Sequence, residues 1–491
     1  MKLKLIAAAA ALAASQAYAV APGAQADIEF FISGASAQDK NIGNYIENYL
    51  CLSDAEGGDF DTFKDGTKGK NYRAWSCIVD HDKIGNTVSA GDVLVIHKRS
   101  KGGSGWGVVP VAQQAQIERM DLANANCVEG TGDDEGSWSC DIVTTTDTPL
   151  VGVSDVEPKV FKGLNAVDDF GDVTQDDLDA LTTYAQSQLV FGVPVTKELR
   201  NVLQAAQGLV VGEDDEENMP TMSANLVRSL FTGQVTSWYD VVNAEGTDLM
   251  TVAANEAMPT PETDSVALCV RTSGSGTRAQ FMINFLRTSC LDSSVAPYLV
   301  EGGSYPSLTA NSGSGGMASC VSNYDRDGAT EDIQDGETSG ETVHWAIGYQ
   351  STEKNMDLSL NYRFVKIDGA APTLTNVAND KYFDWVEQSL QYNTDAYAVA
   401  APAVKAIIDL IAEESGQPNI IKQLNTKYAH EWGQGGYMAK PTNFFGIQPP
   451  AFPYEDDYPV NSTTRSPLGL GPDSCRLPVH INGAWPAAAG F

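Results

Sequence analysis

Basic side chains are scarce in this 491-residue chain: 31 Lys and Arg stand against 64 Asp and Glu, giving a formal net charge of −33. That imbalance excludes nucleic acid and anionic membrane surfaces as partners, because both would be repelled. Histidine is rarer still, at five residues. His81, His97, His344, His430 and His480 stand apart with no HExxH or CxxC pairing, so the ligand spacing of a zinc centre is missing. No GxxxxGK[ST] loop occurs, which removes the phosphate-contacting lysine of nucleotide hydrolases. No GxSxG elbow occurs either, and no Ser/Gly turn has a base beside it in sequence, so an enzyme is not expected. The most apolar stretch past the N-terminus, Ala396 to Ala412, is interrupted by Pro402, Lys405 and Asp409 and does not read as a membrane span. No cofactor and no metal are expected. The one partial calcium-loop match, Asn323 to Gly328, has Gln334 where a bidentate glutamate is needed, so it reads first as an acidic surface loop.

What is present begins with an export signal. Met1-Lys2-Leu3-Lys4, an Ala/Leu stretch and Ala17-Tyr18-Ala19 have the three parts of a secretory signal peptide, 1–19. The mature chain is expected to begin at Val20 and to be periplasmic or secreted; 491 − 19 leaves 472 residues, enough for two or three domains. The eight cysteines all lie beyond the signal, an even number that favours up to four disulfides in an oxidising compartment. Cys51 with Cys77 and Cys127 with Cys140 are the natural close pairs; Cys269, Cys290, Cys320 and Cys475 leave three connectivities open.

The most informative run is Cys269 to Phe281. Arg271 leaves a strand-like segment, Thr272 to Thr277 form a Ser/Gly/Thr turn, and Phe281, Phe285 and Leu286 then follow helical spacing. Such a turn suits an oxyanion: glycines permit close backbone approach, a helix start offers unpaired N–H donors, and the arginine adds a charged fork. Other units repeat the design. Ile28 to Ser33 reads as a strand, Gly34 to Ala37 as a small-residue turn, and Ile42, Tyr45, Ile46, Tyr49 and Leu50 as a helix face. Asp92 to His97 leads to the Gly-rich run 101–107, and Pro149 to Val153 runs into Ser154-Asp155. In open α/β sheets, turns at the carboxyl ends of strands converge on the ligand crevice. Leu189 to Val195 is expected to carry the chain out of a first domain, with helices at 197–206 and 224–231 and a return strand at 343–349. Two further helical patterns are read at Tyr382 to Leu390 and Ala400 to Glu414, before a Pro-rich, irregular end. Segments 53–71 and 301–341 read as surface insertions, and 127–140 as an acidic loop bounded by cysteines.

In order, the pieces Ser33 to Ala37, Gly102 to Gly105, Gly152 to Asp155, Leu230 to Gly233 with Trp238 to Asp240, Arg271 to Thr277 and Ala346 to Tyr349 resemble the phosphate-binding proteins of the phosphate ABC transporter and their secreted relatives, the DING proteins. The resemblance implies an α/β, two-lobed periplasmic-binding-protein fold of type II. Each lobe would be a mixed sheet flanked by helices, the two being joined by two crossing segments. Lobe one would take 20–191 and, with a C-terminal extension, 349–491; lobe two would take 192–348. It implies a monomeric binder of inorganic phosphate that can deliver to an ABC transporter permease. The implied ligand positions are Ala37 and Gln38 in the first turn, Ser104 in the second, Asp155 in the third, and Arg271, Ser275, Gly276 and Thr277 in the fourth. Gln38 stands where the family usually has threonine, so Ser36 can take the hydroxyl role.

The residue types support this chemistry without the family. Neutral donors at Ser36, Ser104, Ser275 and Thr277 disperse the charge of a dehydrated anion, while the planar guanidinium of Arg271 fits two oxygens. A carboxylate at Asp155 helps only if the ligand brings a proton to donate, as phosphate does and sulfate does not; the competing reading is a helix cap or turn former. Two other readings stay open: the same fold binding another oxyanion or a phosphoester, and a surface or matrix protein that works through its acidic insertions.

Overall fold

The computed structural model describes residues 26–66, 71–131, 136–288, 307–324, 344–427, 429–430, 432–434, 436–440, 460–461, 463–466 and 471–480. The signal segment, Cys290 and most of the partial calcium loop lie outside the described residues.

The chain is mixed α/β. Its principal strands are β1 (Ile28–Gly34), β2 (Asp61–Asp65), β3 (Tyr72–Ile78), β4 (Val93–Arg99), β5 (Cys127–Glu129), β6 (Ser137–Cys140) and β7 (Val151–Ser154). There follow β8 (Leu181–Thr196), β9 (Ala267–Arg271), β10 (Ser307–Asn311), β11 (Ala346–Ile347), β12 (Tyr362–Ile367) and β13 (Trp385–Asn393). They form one hydrogen-bonded path in the order β10-β9-β11-β8-β13-β7-β1-β4-β3-β2-β6-β5, with β12 on β8. β1 runs parallel to both β4 and β7, so the turns that follow these three strands leave from the same end.

β8 ties the two halves of the path together. Residues 181–190 pair with β13, and 193–196 pair with β12, with Val195 also opposite Ile347 of β11. Leu189, Val190, Phe191, Val193 and Val195 are buried on both faces. At about 1.5–3 kcal/mol for each such side chain, this strand is a main contributor to the core. Strand β12 and the helix Leu374–Ala378 belong to one buried cluster that runs from Val108, Val156 and Phe161 to Leu199, Val227 and Phe281.

Several expectations need correction. Tyr382 to Leu390 is not helical: β13 begins at Trp385 and is buried at all nine positions between β8 and β7. Its Glu387, Gln388, Ser389 and Gln391 are buried and polar. Their presence inside the strand gave the apolar residues a false helical spacing, because a strand covered on both faces shows no alternation. Helix Pro402–Glu414 is as expected. Segment 53–71 is not wholly a surface insertion, since β2 alternates buried Asp61, Phe63 and Asp65 and pairs with β3 and β6. In the segment 127–140, β5 and β6 pair antiparallel and are joined by Cys127–Cys140, and Trp138 stacks on Phe63 at 5.9 Å. Within 301–341, residues 307–311 are a strand and Ser314–Asn323 a helix.

Cys51 and Cys77 are bonded, as are Cys127 and Cys140, and Cys269 pairs with Cys320; Cys475 is also disulfide-bonded. The C-terminal residues 460–466 that are described are buried rather than loosely attached: Glu387 accepts hydrogen bonds from the hydroxyls of Thr464 and Ser466 and from the Arg465 N–H at 3.0 Å. No helix among the described residues is long and apolar enough to cross a membrane.

Candidate functional site

Four small-residue turns meet at the carboxyl ends of β1, β4, β7 and β9. β1 ends at Gly34, whose φ of 120° a side-chain-bearing residue rarely adopts, and passes into a 3₁₀ turn, Ser36–Gln38. β4 leads through Gly103 into the 3₁₀ turn Ser104–Gly107, and β7 ends at Ser154 beside Asp155. β9 ends at Arg271, and Ser275 caps the helix Gly276–Phe281 by accepting the Arg278 N–H at 3.3 Å. A π-turn, Met282–Leu286, continues that helix.

The second, third and fourth turns are in direct contact. The Gly105 N–H donates to the Gly274 carbonyl at 2.7 Å, and the Asp155 N–H donates to Ser104 Oγ at 3.1 Å. A Cβ at Gly276 would stand 2.1 Å from Ser104 Oγ and 2.9 Å from Asp155 Cβ, so only glycine lets these turns close. The first turn joins through Ser36, whose Oγ lies 2.8 Å from Ser314 Oγ.

At the centre, Thr277 links the two charged residues. Arg271 Nη1 donates to Thr277 Oγ1 at 3.2 Å, and that hydroxyl donates to Asp155 Oδ2 at 3.3 Å. Arg271 is 2% exposed and Asp155 3%. The guanidinium is aimed by backbone carbonyls: Nε donates to Asn311 O at 3.1 Å and Nη2 to Ser312 O at 2.9 Å. Three of its five N–H donors are thereby used, leaving two for an oxyanion. Asp155 Oδ1 is buried and makes no hydrogen bond of normal geometry among the described residues, although the Gln388 side chain lies near enough to favour the carboxylate. Burial pushes the Asp155 carboxyl up to about 6; the Arg271 charge opposes this, Glu353 adds to it, and the Gln388 and Thr277 side chains oppose it. Burial also lowers Arg271, with the Asp155 charge opposing.

All nine expected positions thus lie in the four turns or on the strand end and helix start that flank them, but not all of their side chains face one another. The Gln38 amide donates instead to the Ser154 carbonyl at 2.7 Å and to Ser389 O at 3.3 Å, so it fastens the first turn to β7 and β13. Ala37 has only its backbone to offer, and its carbonyl accepts from the Tyr437 hydroxyl. Ser104 Oγ accepts from the Asp155 N–H, which leaves its own proton to give.

Sequence reasoning missed a fifth turn. β10 ends at Asn311, and Ser312-Gly313 lead into the helix Ser314–Asn323. The segment supplies the carbonyls that hold Arg271, while Gln350 Nε2 donates to Ser314 O at 3.0 Å. The signal was available, because the segment has the same strand, small-residue turn and helix order as the other four. Its Gly/Ser composition placed it in an insertion. Tyr349 was also missed as a support: its hydroxyl accepts the Arg271 N–H at 2.9 Å. Asn165, buried, donates to the Ser275 carbonyl at 3.4 Å.

No protein-family model matches the chain, and no curated protein matches it. Among solved structures it is similar to a protein described as a phosphate ABC transporter substrate-binding protein with bound phosphate from Clostridium perfringens (TM-score 0.41, 14% identity, 83% of this chain and 99% of that one). It is similar also to an ABC-type phosphate transport receptor from Vibrio cholerae (TM-score 0.38, 12% identity, 81% and 98%) and to a phosphate-binding protein from Stenotrophomonas maltophilia (TM-score 0.34, 13% identity, 82% and 84%). Likeness at this level decides no ligand; the side chains of this chain must carry that argument.

Proposed function

We propose that this protein is an exported solute-binding protein that captures inorganic phosphate between two lobes without transforming it. The lobes of this reading are 20–191 with 349–491, and 192–348, except that β12, within 349–491, pairs with residues 193–196 and 221–222 and is proposed to go with the second lobe. The ligand sits among the turns after β1, β4, β7 and β9. The observation that carries the reading is the central set: a desolvated guanidinium with two donors uncommitted among the described residues, Thr277 between it and Asp155, and a buried Asp155 oxygen that makes no hydrogen bond of normal geometry among them. Such a set takes a tetrahedral anion that also has a proton to give. Phosphate meets both demands. Sulfate would leave Asp155 Oδ1 facing an unprotonated oxygen, and a buried acceptor left unpaired beside like charge can reject an analogue by ~10⁴-fold. The net charge of −33 does not forbid an anionic ligand, since exposed charges are screened beyond about 10 Å while the donors act at contact.

The disulfides fit an exported chain. Delivery to an ABC transporter permease, or sequestration of phosphate outside the cell, would follow capture. The test is titration calorimetry of the ligand-stripped mature protein with phosphate, and with sulfate as control. Tight phosphate binding with sulfate excluded supports the reading; no heat with either anion would overturn it.

A further inference from the structure

Lys98 is a buried ammonium that the anion chemistry described so far does not use. It lies on β4 opposite Ile32, two residues before β1 ends, and is 1% exposed. Its Nζ reaches the Gly34 carbonyl at 3.0 Å and the Ala35 carbonyl at 3.3 Å, the two peptide oxygens at the entrance to the first turn. It also donates to Arg99 O at 3.2 Å and Ser100 Oγ at 3.0 Å, and Asp39 Oδ1 lies 3.3 Å away. Five acceptors around three ammonium protons leave no neutral substitute of this size that could serve them all.

We propose that Lys98 is the positioning residue of the first anion-binding turn, holding the Gly34 and Ala35 carbonyls so that the following N–H groups face the ligand, and adding its charge to that of Arg271. This rests on the phosphate reading above. In a trans peptide the C=O and N–H point opposite ways, so anchoring the Ala35 oxygen on Lys98 aims the Ser36 N–H away from β4. The first N–H groups of a helical turn have no partner within it, so those of the 3₁₀ turn Ser36–Gln38 remain for an anion. Fold support alone would not require Lys98 here, because Asp39 has a second cation: Arg73 Nη2 lies 3.0 Å from its Oδ2. The charges facing Lys98 are Asp39 from the helix Asp39–Tyr45, Arg73 from β3 and Asp155 beyond β7. Burial lowers the ammonium to about 8, with Asp39 opposing.

The experiment is phosphate titration of the full mature chain, Lys98→Met and Lys98→Arg, from neutral pH to well above the point where Lys98 loses its proton. Over the upper part of that range inorganic phosphate stays ionised, Asp155 is already charged and Arg271 keeps its charge. The natural chain should lose phosphate affinity as pH rises through about 8. Lys98→Arg, which keeps its charge, should not show that fall, and Lys98→Met should bind at least ~10-fold more weakly at neutral pH. If the Met variant does not fold, the contrast between the natural chain and the Arg variant decides. Natural-like affinity and an unchanged pH profile in the variants would overturn the role of Lys98 while leaving the phosphate reading intact. No phosphate binding by the natural chain would overturn both.

Discussion

Asp155→Asn replaces one oxygen by an N–H₂ group in a site where the other carboxylate oxygen accepts from Thr277 at 3.3 Å and Oδ1 makes no hydrogen bond of normal geometry among the described residues. For phosphate, the variant loses a charge-assisted acceptor, which costs about 1.5–3 kcal/mol, or roughly 10- to 150-fold in affinity. For sulfate, a buried unpaired acceptor becomes a donor, and binding should strengthen toward that of phosphate. Acid should imitate the substitution in the natural chain. Burial holds Asp155 up at about 6, so below that pH it carries a proton and can donate to sulfate. The protonated fraction is about 1% two pH units above the pKa and near unity well below it. Sulfate affinity should therefore rise by roughly 100-fold from pH 8 to pH 5 in the natural chain, while Asp155→Asn should change only by the small part that the Lys98 proton contributes near pH 8. Stability supplies a second readout. Because folding raises this pKa above the unfolded value of 3.8, the native state gains stability from Asp155 fully below that value and loses it as pH rises through about 6. At pH 7 the Asn variant should be the more stable by on the order of 2–3 kcal/mol, less whatever the amide loses in hydrogen bonds. Calorimetric titration with both anions at pH 5, 6, 7 and 8, paired with urea melts, makes the comparison. Sulfate affinity that is flat with pH and still excluded by the Asn variant would refute this account of discrimination.

Arg271→Ala should weaken phosphate binding by at least ~2 kcal/mol, since a desolvated charge-assisted partner is lost; near-native affinity by calorimetry would remove Arg271 from the site. Gly276→Ala should push Ser104 away from Asp155, because its Cβ would lie 2.1 Å from Ser104 Oγ. An overpacking cost of about 1–3 kcal/mol in a urea melt, with phosphate affinity reduced, is expected. Replacing Cys269 and Cys320 together by serine opens a link of sequence separation 51 and should cost roughly 4 kcal/mol by the loop-entropy relation. Because Cys269 lies two residues before Arg271, phosphate affinity should fall with it, and thermal melts with and without phosphate would report both effects.

The legible parts of the chain were those whose signal is local. Ile28 to Gly34 and Val93 to Arg99 are strands ended by small-residue turns, and helix Pro402–Glu414 shows its apolar face at regular spacing. The close cysteine pairs were legible because a short loop brings its ends together readily. The misreadings share one cause. β13 carries the residue spacing of a helix, and the segment Asn311 to Ser314 the composition of an insertion, because each is defined by what packs on it from distant residues. Gln38 belongs to the same class: its residue type permits donation to a ligand, and only the approach of Ser154 and Ser389 directs that amide to backbone carbonyls.

By itself, then, the sequence determined the set of strand-to-turn units, the two close cysteine pairs and the residue types able to hold an anion, since these depend on neighbours near in the chain. Tertiary structure alone decided that Thr277 stands between Arg271 and Asp155, that Oδ1 of Asp155 makes no hydrogen bond of normal geometry among the described residues, and that Lys98 lies beneath the first turn. Those relations join residues about 6 to 120 positions apart, and the energetics of a buried charge depend on which groups surround it rather than on its place in the chain.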